Sequence, residues 1–339
     1  MRTIMLQSNS ASIYDVAQES GVSIATVSRV LNNNPNVSPK TQKKVMNALQ
    51  KLHYRPSTIA RAMVNRNMQT IGILTVDIRS ENYNVAAYTI ERNLALLGYS
   101  SIICNTFGET EDNIKSIRML LDKGVSGIIC IGSVFDRTFN ETSILSEYSH
   151  IPFIVTNYPL EAENVCCVDF DEYVGIEKAL SHLLERGHSD IFFVKDVDSY
   201  SSQKKANIFL GQLLARGMKA DTGLIIETNR SLEGGAGAVD TIIASGKPFS
   251  AILFNDDMTA VGGLKRLISL GYSVPDEVAV IGYNNTILSK CCTPTLTTVS
   301  TNFESLGKTC VTLIMDLINN TGAAKTAQIK PELIIREST

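Results

Sequence analysis

Ser12 to Lys40 reads SIYDVAQESGVSIATVSRVLNNNPNVSPK, and this stretch decides the architecture of the first part of the chain. Ser12-x-x-Asp15 has the pattern of a capping box, in which a hydroxyl and a carboxylate satisfy each other's end of a helix. Ile13, Val16 and Ala17 then fall on one helical face. Gly21 marks the end of that helix, and Ser23 is placed to cap the next, with Val27, Val30 and Leu31 facing inward. Ser38-Pro39 pairs a cap with a proline at the first helical position, and Val45, Ala48, Leu49 and Leu52 form the buried stripe that follows. Three short helices with a tight glycine turn between the first two form a helix-turn-helix layout.

The second helix leaves Ile24, Ala25, Ser28 and Arg29 on one outward face, because Ile24 and Ser28, like Ala25 and Arg29, are one helical repeat apart. Arg29 has the geometry to grip guanine O6 and N7 with two hydrogen bonds, and Ile24 and Ala25 can meet thymine methyl groups. Ser23, Thr26, Ser28 and Asn32 are short polar groups suited to phosphate oxygens. Charge supports the same reading. Residues 1–70 hold nine Lys or Arg and two acids, a net of +7, whereas the whole chain is at −3, so residues 71–339 carry −10. A basic head on an acidic body points to a polyanionic partner.

With 339 residues the chain has room for two or three domains, and 44% hydrophobic with 19% charged residues is a globular balance. No apolar run reaches the roughly 18–20 residues of a membrane span, and the N-terminus MRTIMLQSNSAS lacks a signal-peptide core, so a cytoplasmic protein without a membrane partner is expected. The seven cysteines include the adjacent pairs Cys166-Cys167 and Cys291-Cys292, poor disulfide candidates that read as buried free thiols.

The run SIYDVAQESGVSIATVSRVLNNNPNVSPKTQKKVMNALQKLHYRPSTIARAM resembles the N-terminal signature of the lac/gal repressor family over about fifty residues. The resemblance implies that Tyr14, Ser23 and Asn32 contact phosphates and that Ile24, Ala25 and Arg29 read bases. It also implies a short hinge helix at PSTIARAMV, with Ser57, Ala60 and Met63 as its DNA contacts. About two turns long, such a helix is too short to stand alone and is expected to order on DNA beside a partner copy. Met63 stands where family members usually place a leucine wedge in the minor groove.

From Thr70 onward the pattern changes. Apolar runs, among them TIGILTV, YSSIIC, GIICI, PFIVT, DIFFV, FSAILF and EVAVIGY, alternate with amphipathic helical segments. Continuous apolar strands alternating with helices predict parallel sheets covered on both faces. Ligands in such sheets bind beyond the carboxyl ends of the strands. The residues just past those ends are Asp77, Asn157, Asn255 and Asn284, and a set rich in amides suits a polar, neutral, hydroxylated ligand.

HLLERGHSDIFFV, FNDDMTAVGGLKRLISLGYSVPDEVAVIGYNN and PTLTTV resemble later landmarks of the same family, more loosely. The implied fold is an all-α helix-turn-helix head with a hinge helix, then an α/β body of two Rossmann-like subdomains resembling a type I periplasmic binding protein. The expected division is 1–55 for the head, 56–69 for the hinge and linker, and 70–339 for effector binding and dimerisation. Within the body the first subdomain is expected at about 70–165 plus 301–321 and the second at about 166–298 plus 328–339. The resemblance places Asn157, Lys205, Asn255 and Asn284 at effector contacts. An Arg is usual at Lys205 and an Asp at Asn284, and the loop DIRSENYN lacks the family's frequent Asn-Pro-Phe-Phe, leaving Tyr83 as its aromatic residue. These departures argue against a common hexose but not against a small polar metabolite, with a carbohydrate or derivative expected.

No G-x-G-x-x-G follows the first strand, no Walker motif is present, and the four histidines have no ligand spacing, so neither enzyme activity, cofactor nor metal is expected. The glycines of EGGAGA, Glu233–Ala238, read as helix packing. The resulting expectation is a repressor that binds a pseudo-palindromic DNA operator as a homodimer under the control of an effector between two lobes. Two other readings stay open from the residues alone: a DNA-binding regulator indifferent to small molecules, and a non-regulatory sugar-binding protein.

Overall fold

The computed structural model describes residues 11–31, 36–52, 54, 69–322 and 325–339. The chain divides into two units, residues 1–68 and 69–339.

The first unit holds helices α1 (Ile13–Ser20), α2 (Ile24–Leu31) and α3 (Pro39–Lys51). The capping box forms as its pattern predicts: the Ser12 backbone N–H donates to Asp15 at 2.7 Å while the Asp15 N–H donates to the Ser12 hydroxyl at 3.3 Å. Gly21 ends α1 at φ +67°, in the left-handed region where a side chain would be strained. Val16, Val27, Val30, Val45 and Ala48 make the small core, with Ile13, Leu31, Leu49 and Leu52 half-buried against it.

The second unit contains two six-stranded sheets. The first sheet has strands β1 (Thr70–Thr75), β2 (Ser100–Asn105), β3 (Gly127–Ile131), β4 (Phe153–Thr156), β5 (Val165–Phe170) and β11 (Thr326–Ile329), in the order β11-β5-β4-β3-β1-β2. The second has β6 (Ile191–Lys195), β7 (Ile225–Glu227), β8 (Ala251–Phe254), β9 (Ala279–Tyr283), β10 (Thr297–Ser300) and β12 (Glu332–Ile334), in the order β12-β10-β9-β8-β6-β7. Every pairing is parallel except β10 with β12. Around the first sheet lie α4 (Glu81–Leu96), α5 (Thr110–Asp122), α6 (Phe135–Glu141), α7 (Ile144–Glu147) and, later in the chain, α13 (Phe303–Asn319). Around the second lie α8 (Glu172–Glu185), α9 (Tyr200–Ala215), α10 (Leu232–Ala244), α11 (Asp257–Ser269) and α12 (Leu288–Cys291).

The apolar runs are continuous because alternate residues of a central strand enter different layers. Ile71, Ile73, Ile129 and Ile131 pack with α4 and α13, whereas Leu74, Ile128 and Cys130 pack with α5 and α6. Phe193 faces α8 and α9, and Phe192 and Val194 face α10 and α11. The expected subdomain boundary at 166 needs correction. It falls inside β5, which pairs with β4 and β11 and stays in the first sheet, so the chain changes lobe after Phe170. β11 likewise belongs to the first sheet, and the return to the second follows Ile329, one residue past the expected 328. The physical reason is hydrogen bonding: a strand belongs to the sheet that satisfies its backbone, and apolar patterning does not reveal which sheet that is.

The glycines of α10 serve packing, as expected. A Cβ on Gly235 would overlap the Thr259 carbonyl oxygen, and one on Gly262 would overlap that of Leu232, so α10 and α11 meet backbone to backbone. Cys291 is exposed, contrary to the expectation of buried thiols, whereas Cys130, Cys166, Cys167 and Cys310 are buried. No helix among the described residues is long and apolar enough to cross a membrane.

Candidate functional site

In the first unit, burial of Val27 and Val30 turns the opposite side of α2 outward. Ile24 is 39% exposed and Tyr14 is 68% exposed. Ala25 and Arg29 are exposed beside Ile24, and Ser28 and Thr26 are half-buried. The Ser23 hydroxyl accepts the Thr26 backbone N–H at 3.2 Å and lies 2.9 Å from the Thr26 hydroxyl, so it starts the helix while remaining exposed. Asn32, Ser57, Ala60 and Met63 lie outside the described residues.

In the second unit, sheet register builds the site. Thr75 pairs with Ile131, Cys130 with Val155 and Thr156 with Val168, so the strands of the first sheet end at one level. Val194 pairs with Phe254, Leu253 with Ile281 and Val299 with Tyr283, which does the same for the second. The residues past these ends line a cavity of about 310 Å³. All six residues expected at the effector site are on its wall: Asp77, Tyr83 and Asn157 from the first lobe, and Lys205, Asn255 and Asn284 from the second.

Their states differ from what residue type alone implies. Lys205 is not a free point charge. Its ammonium sits 4.2 Å over the Tyr283 ring and 4.0 Å from Glu172, and burial lowers its pKa against the opposing pull of that carboxylate. Asn284 replaces the usual acid, yet its Nδ2 donates to Asp256 at 2.9 Å, so a carboxylate remains beside the position. Asn255 Nδ2 donates to Asp196 at 2.5 Å and to the Ser202 hydroxyl at 2.9 Å. Because a carboxylate accepts only, this fixes the amide's orientation and leaves Asn255 Oδ1 buried with no partner within the protein. Asn157 Oδ1 is in the same condition. Buried acceptors of this kind are costly unless a donor meets them. Asp77 forms an ion pair with Arg79 at 2.7 Å, which holds its pKa below the usual carboxylate value.

Sequence reading missed the ionic centre of the cleft. Arg230, in the loop after β7, donates from Nε to Asp196 at 2.9 Å and lies 3.8 Å from Asp256. Burial opposes its charge, but Asp196 and Asp256 more than compensate, so it stays protonated. Burial also works against ionisation of Asp196, and Arg230 reverses it, so the Asp196 pKa is lowered. Burial raises that of Asp256, with Arg230 opposing and Asp196 adding repulsion. Burial raises the pKa of Tyr83, from the opposite lobe, and the charge of the nearby Arg230 opposes that rise. Asp196 directly follows the run IFFVK, so the strand-end rule that found Asn255 would have reached it. Arg230 carries no such signal, because β7 is a three-residue edge strand with no fully buried residue and Arg230 comes three residues after it.

The family model "Bacterial regulatory proteins, lacI family" matches residues 12–57, and a periplasmic binding protein-like domain model matches 180–339. An HTH-type transcriptional regulator of Lachnoclostridium phytofermentans is 32% identical, the match covering 96% of this chain and 99% of that protein. The HTH-type transcriptional regulator DegA of Bacillus subtilis is also 32% identical, over 96% of this chain and 97% of its own. Among solved structures, the lac repressor dimer bound to operator and the anti-inducer ONPF superposes with a TM-score of 0.85 at 23% identity, covering 97% of this chain and 98% of that one, a likeness of fold.

Proposed function

The chain belongs to the lacI family of bacterial regulatory proteins and is a ligand-responsive, DNA-binding transcriptional regulator rather than an enzyme; from that premise we propose that a carbohydrate or carbohydrate derivative in the cleft sets its affinity for a pseudo-palindromic operator. The observation that carries this reading is the convergence of six polar side chains, three from each lobe, on one cavity. A ligand that touches both walls binds the closed lobes better than the open ones, which is what a shift of population requires.

The head supplies the DNA contacts in this reading, with Arg29, Ile24 and Ala25 of α2 on base edges and Tyr14 of α1, Ser23, Thr26, Ser28 and Asn32 on phosphates. Ser57, Ala60 and Met63 act from the hinge. The protein works as a cytoplasmic homodimer, one head per half-site. The division into head 1–55, hinge 56–69 and body 70–339 is part of the same reading.

The test is a fluorescence-anisotropy titration of operator DNA with the full chain across a panel of neutral sugars. A sugar that stabilises the protein in a thermal melt is expected to change operator affinity, and operator DNA is expected to change sugar affinity by the same factor. Stabilisation with no change in operator affinity in either direction would overturn the allosteric reading.

A further inference from the structure

The cleft contains a buried cation, Lys205, and a half-buried one, Arg230, and both are already matched by anions of the same lobe. Arg230 faces Asp196, at 2.9 Å from Nε and 3.4 Å from Nη2, and Asp256 at 3.8 Å. The Asp196 side chain is 0% exposed and that of Asp256 6%. Lys205 faces Glu172, whose carboxylate also accepts the hydroxyls of Tyr283 and Ser201. Elsewhere, Arg79 is paired with Asp77 and Lys204 with Asp169, each at 2.7 Å. Among the described residues lining the cleft, none is a cation left without a carboxylate.

The groups left unmatched are of another kind. Asn157 Oδ1 and Asn255 Oδ1 are buried acceptors that need donors. Ser80, Ser133, Ser199 and Thr301 add hydroxyls to the wall, and Phe170 and Phe303, in edge contact at 5.2 Å, supply an apolar surface. Hydroxyl groups satisfy such acceptors, whereas a phosphate or carboxylate offers further acceptors. An anion reaching Arg230 would also come up against two carboxylates in a site of low polarisability, where repulsion is weakly screened.

We propose that Arg230, neutralised by Asp196 and Asp256, is a specificity-determining residue that makes this cleft take an uncharged, hydroxyl-rich ligand and reject sugar phosphates, sugar acids and other anions. The inference rests on the reading of the cleft as the effector site. It assigns Arg230 the role of donating to neutral oxygens with the N–H groups that Asp196 leaves free. Asp196 thereby acts as a resident anion, occupying the place that a ligand's own charge would otherwise take.

Asp196→Asn removes the resident charge and leaves the guanidinium available, so inorganic phosphate is expected to bind this variant at least about tenfold more tightly than it binds the wild type. Binding would be read by calorimetry and thermal melts on the full chain. The double variant Asp196→Asn/Arg230→Gln is expected to lose that gain, which separates binding at Arg230 from binding elsewhere. In the same assays, neutral hexoses, pentoses and disaccharides are compared with their monophosphates and uronates on the wild type. Tighter binding of an anionic member than of its neutral parent, sensitive to Arg230→Gln, would overturn the proposal while leaving the cleft as the effector site. Failure of Asp196→Asn to gain phosphate binding would overturn it as well. Binding of neutral sugars that is unaffected by both Asn157→Ala and Asn255→Ala would overturn the reading of the cleft itself.

Discussion

Glu81 accepts the backbone N–H of Ile287 with both carboxylate oxygens, at 3.0 and 2.9 Å, joining the first turn of α4 in one lobe to the segment before α12 in the other. Arg137 and Asp198 make a second link between lobes at 3.2 Å, and Tyr158 and Tyr200 a third, edge to face at 5.1 Å. Lys204 of α9 and Asp169 of β5 add a fourth at 2.7 Å, so together with the approach of Arg230 to Tyr83 the lobes are joined by several polar links and an aromatic pair. Exposed links of this kind are individually weak, so a ligand's differential contacts can decide the balance between open and closed lobes.

Removing one link should therefore alter closure more than stability. Glu81→Ala is expected to cost about 1 kcal/mol or less in urea unfolding, while small-angle scattering of the ligand-free protein shows a larger radius of gyration. An unchanged radius would mean that the Glu81 contact does not hold the lobes.

Arg29→Ala tests the base-reading face. The variant is expected to lose about 1–3 kcal/mol on the preferred operator and to bind unrelated DNA nearly as well as before. Its residual binding should keep a steep negative dependence on salt, since phosphate contacts persist. Retained operator selectivity in competition anisotropy would remove Arg29 from that role.

A pH dependence follows from Asp257. Burial raises its pKa from an ordinary value of 3.8 to about 7, although Thr298 and Thr286 donate to it at 2.6 and 3.0 Å. The folded state therefore holds an extra proton between those two values, and the corresponding stability is present at low pH and lost as pH rises through about 7. The contribution is on the order of 2–4 kcal/mol. Asp257→Asn should flatten the slope of unfolding free energy between pH 4 and pH 7 relative to the wild type. Parallel slopes for the two proteins would contradict the assignment.

Gly235→Ala should separate α10 from α11, because its Cβ would overlap the Thr259 carbonyl oxygen and approach the Gly263 backbone nitrogen at 2.9 Å. The expected loss is about 2 kcal/mol or more, read by chemical denaturation. Gly237→Ala on the same helix, where a Cβ has open space, is expected to be neutral or stabilising.

Much of this molecule is local information. The Ser12–Asp15 capping box, the left-handed Gly21 and the Ser38-Pro39 start are decided by residues within four positions of one another, so the sequence by itself determines the head and its exposed Ile24 and Arg29. The strand-end rule works for Asp77, Asn157, Asn255 and Asn284 for the same reason: in a parallel sheet, the residue after an apolar run emerges at the ligand edge. What only the tertiary structure decided is which charges meet there. Arg230 and Asp196 are 34 residues apart, and Tyr83 is in the other lobe. Their contact depends on the order β8-β6-β7 and on closure of one lobe over the other. Ionic pairing in a buried cleft is a property of distance and desolvation, and neither is written in the spacing of residues along the chain.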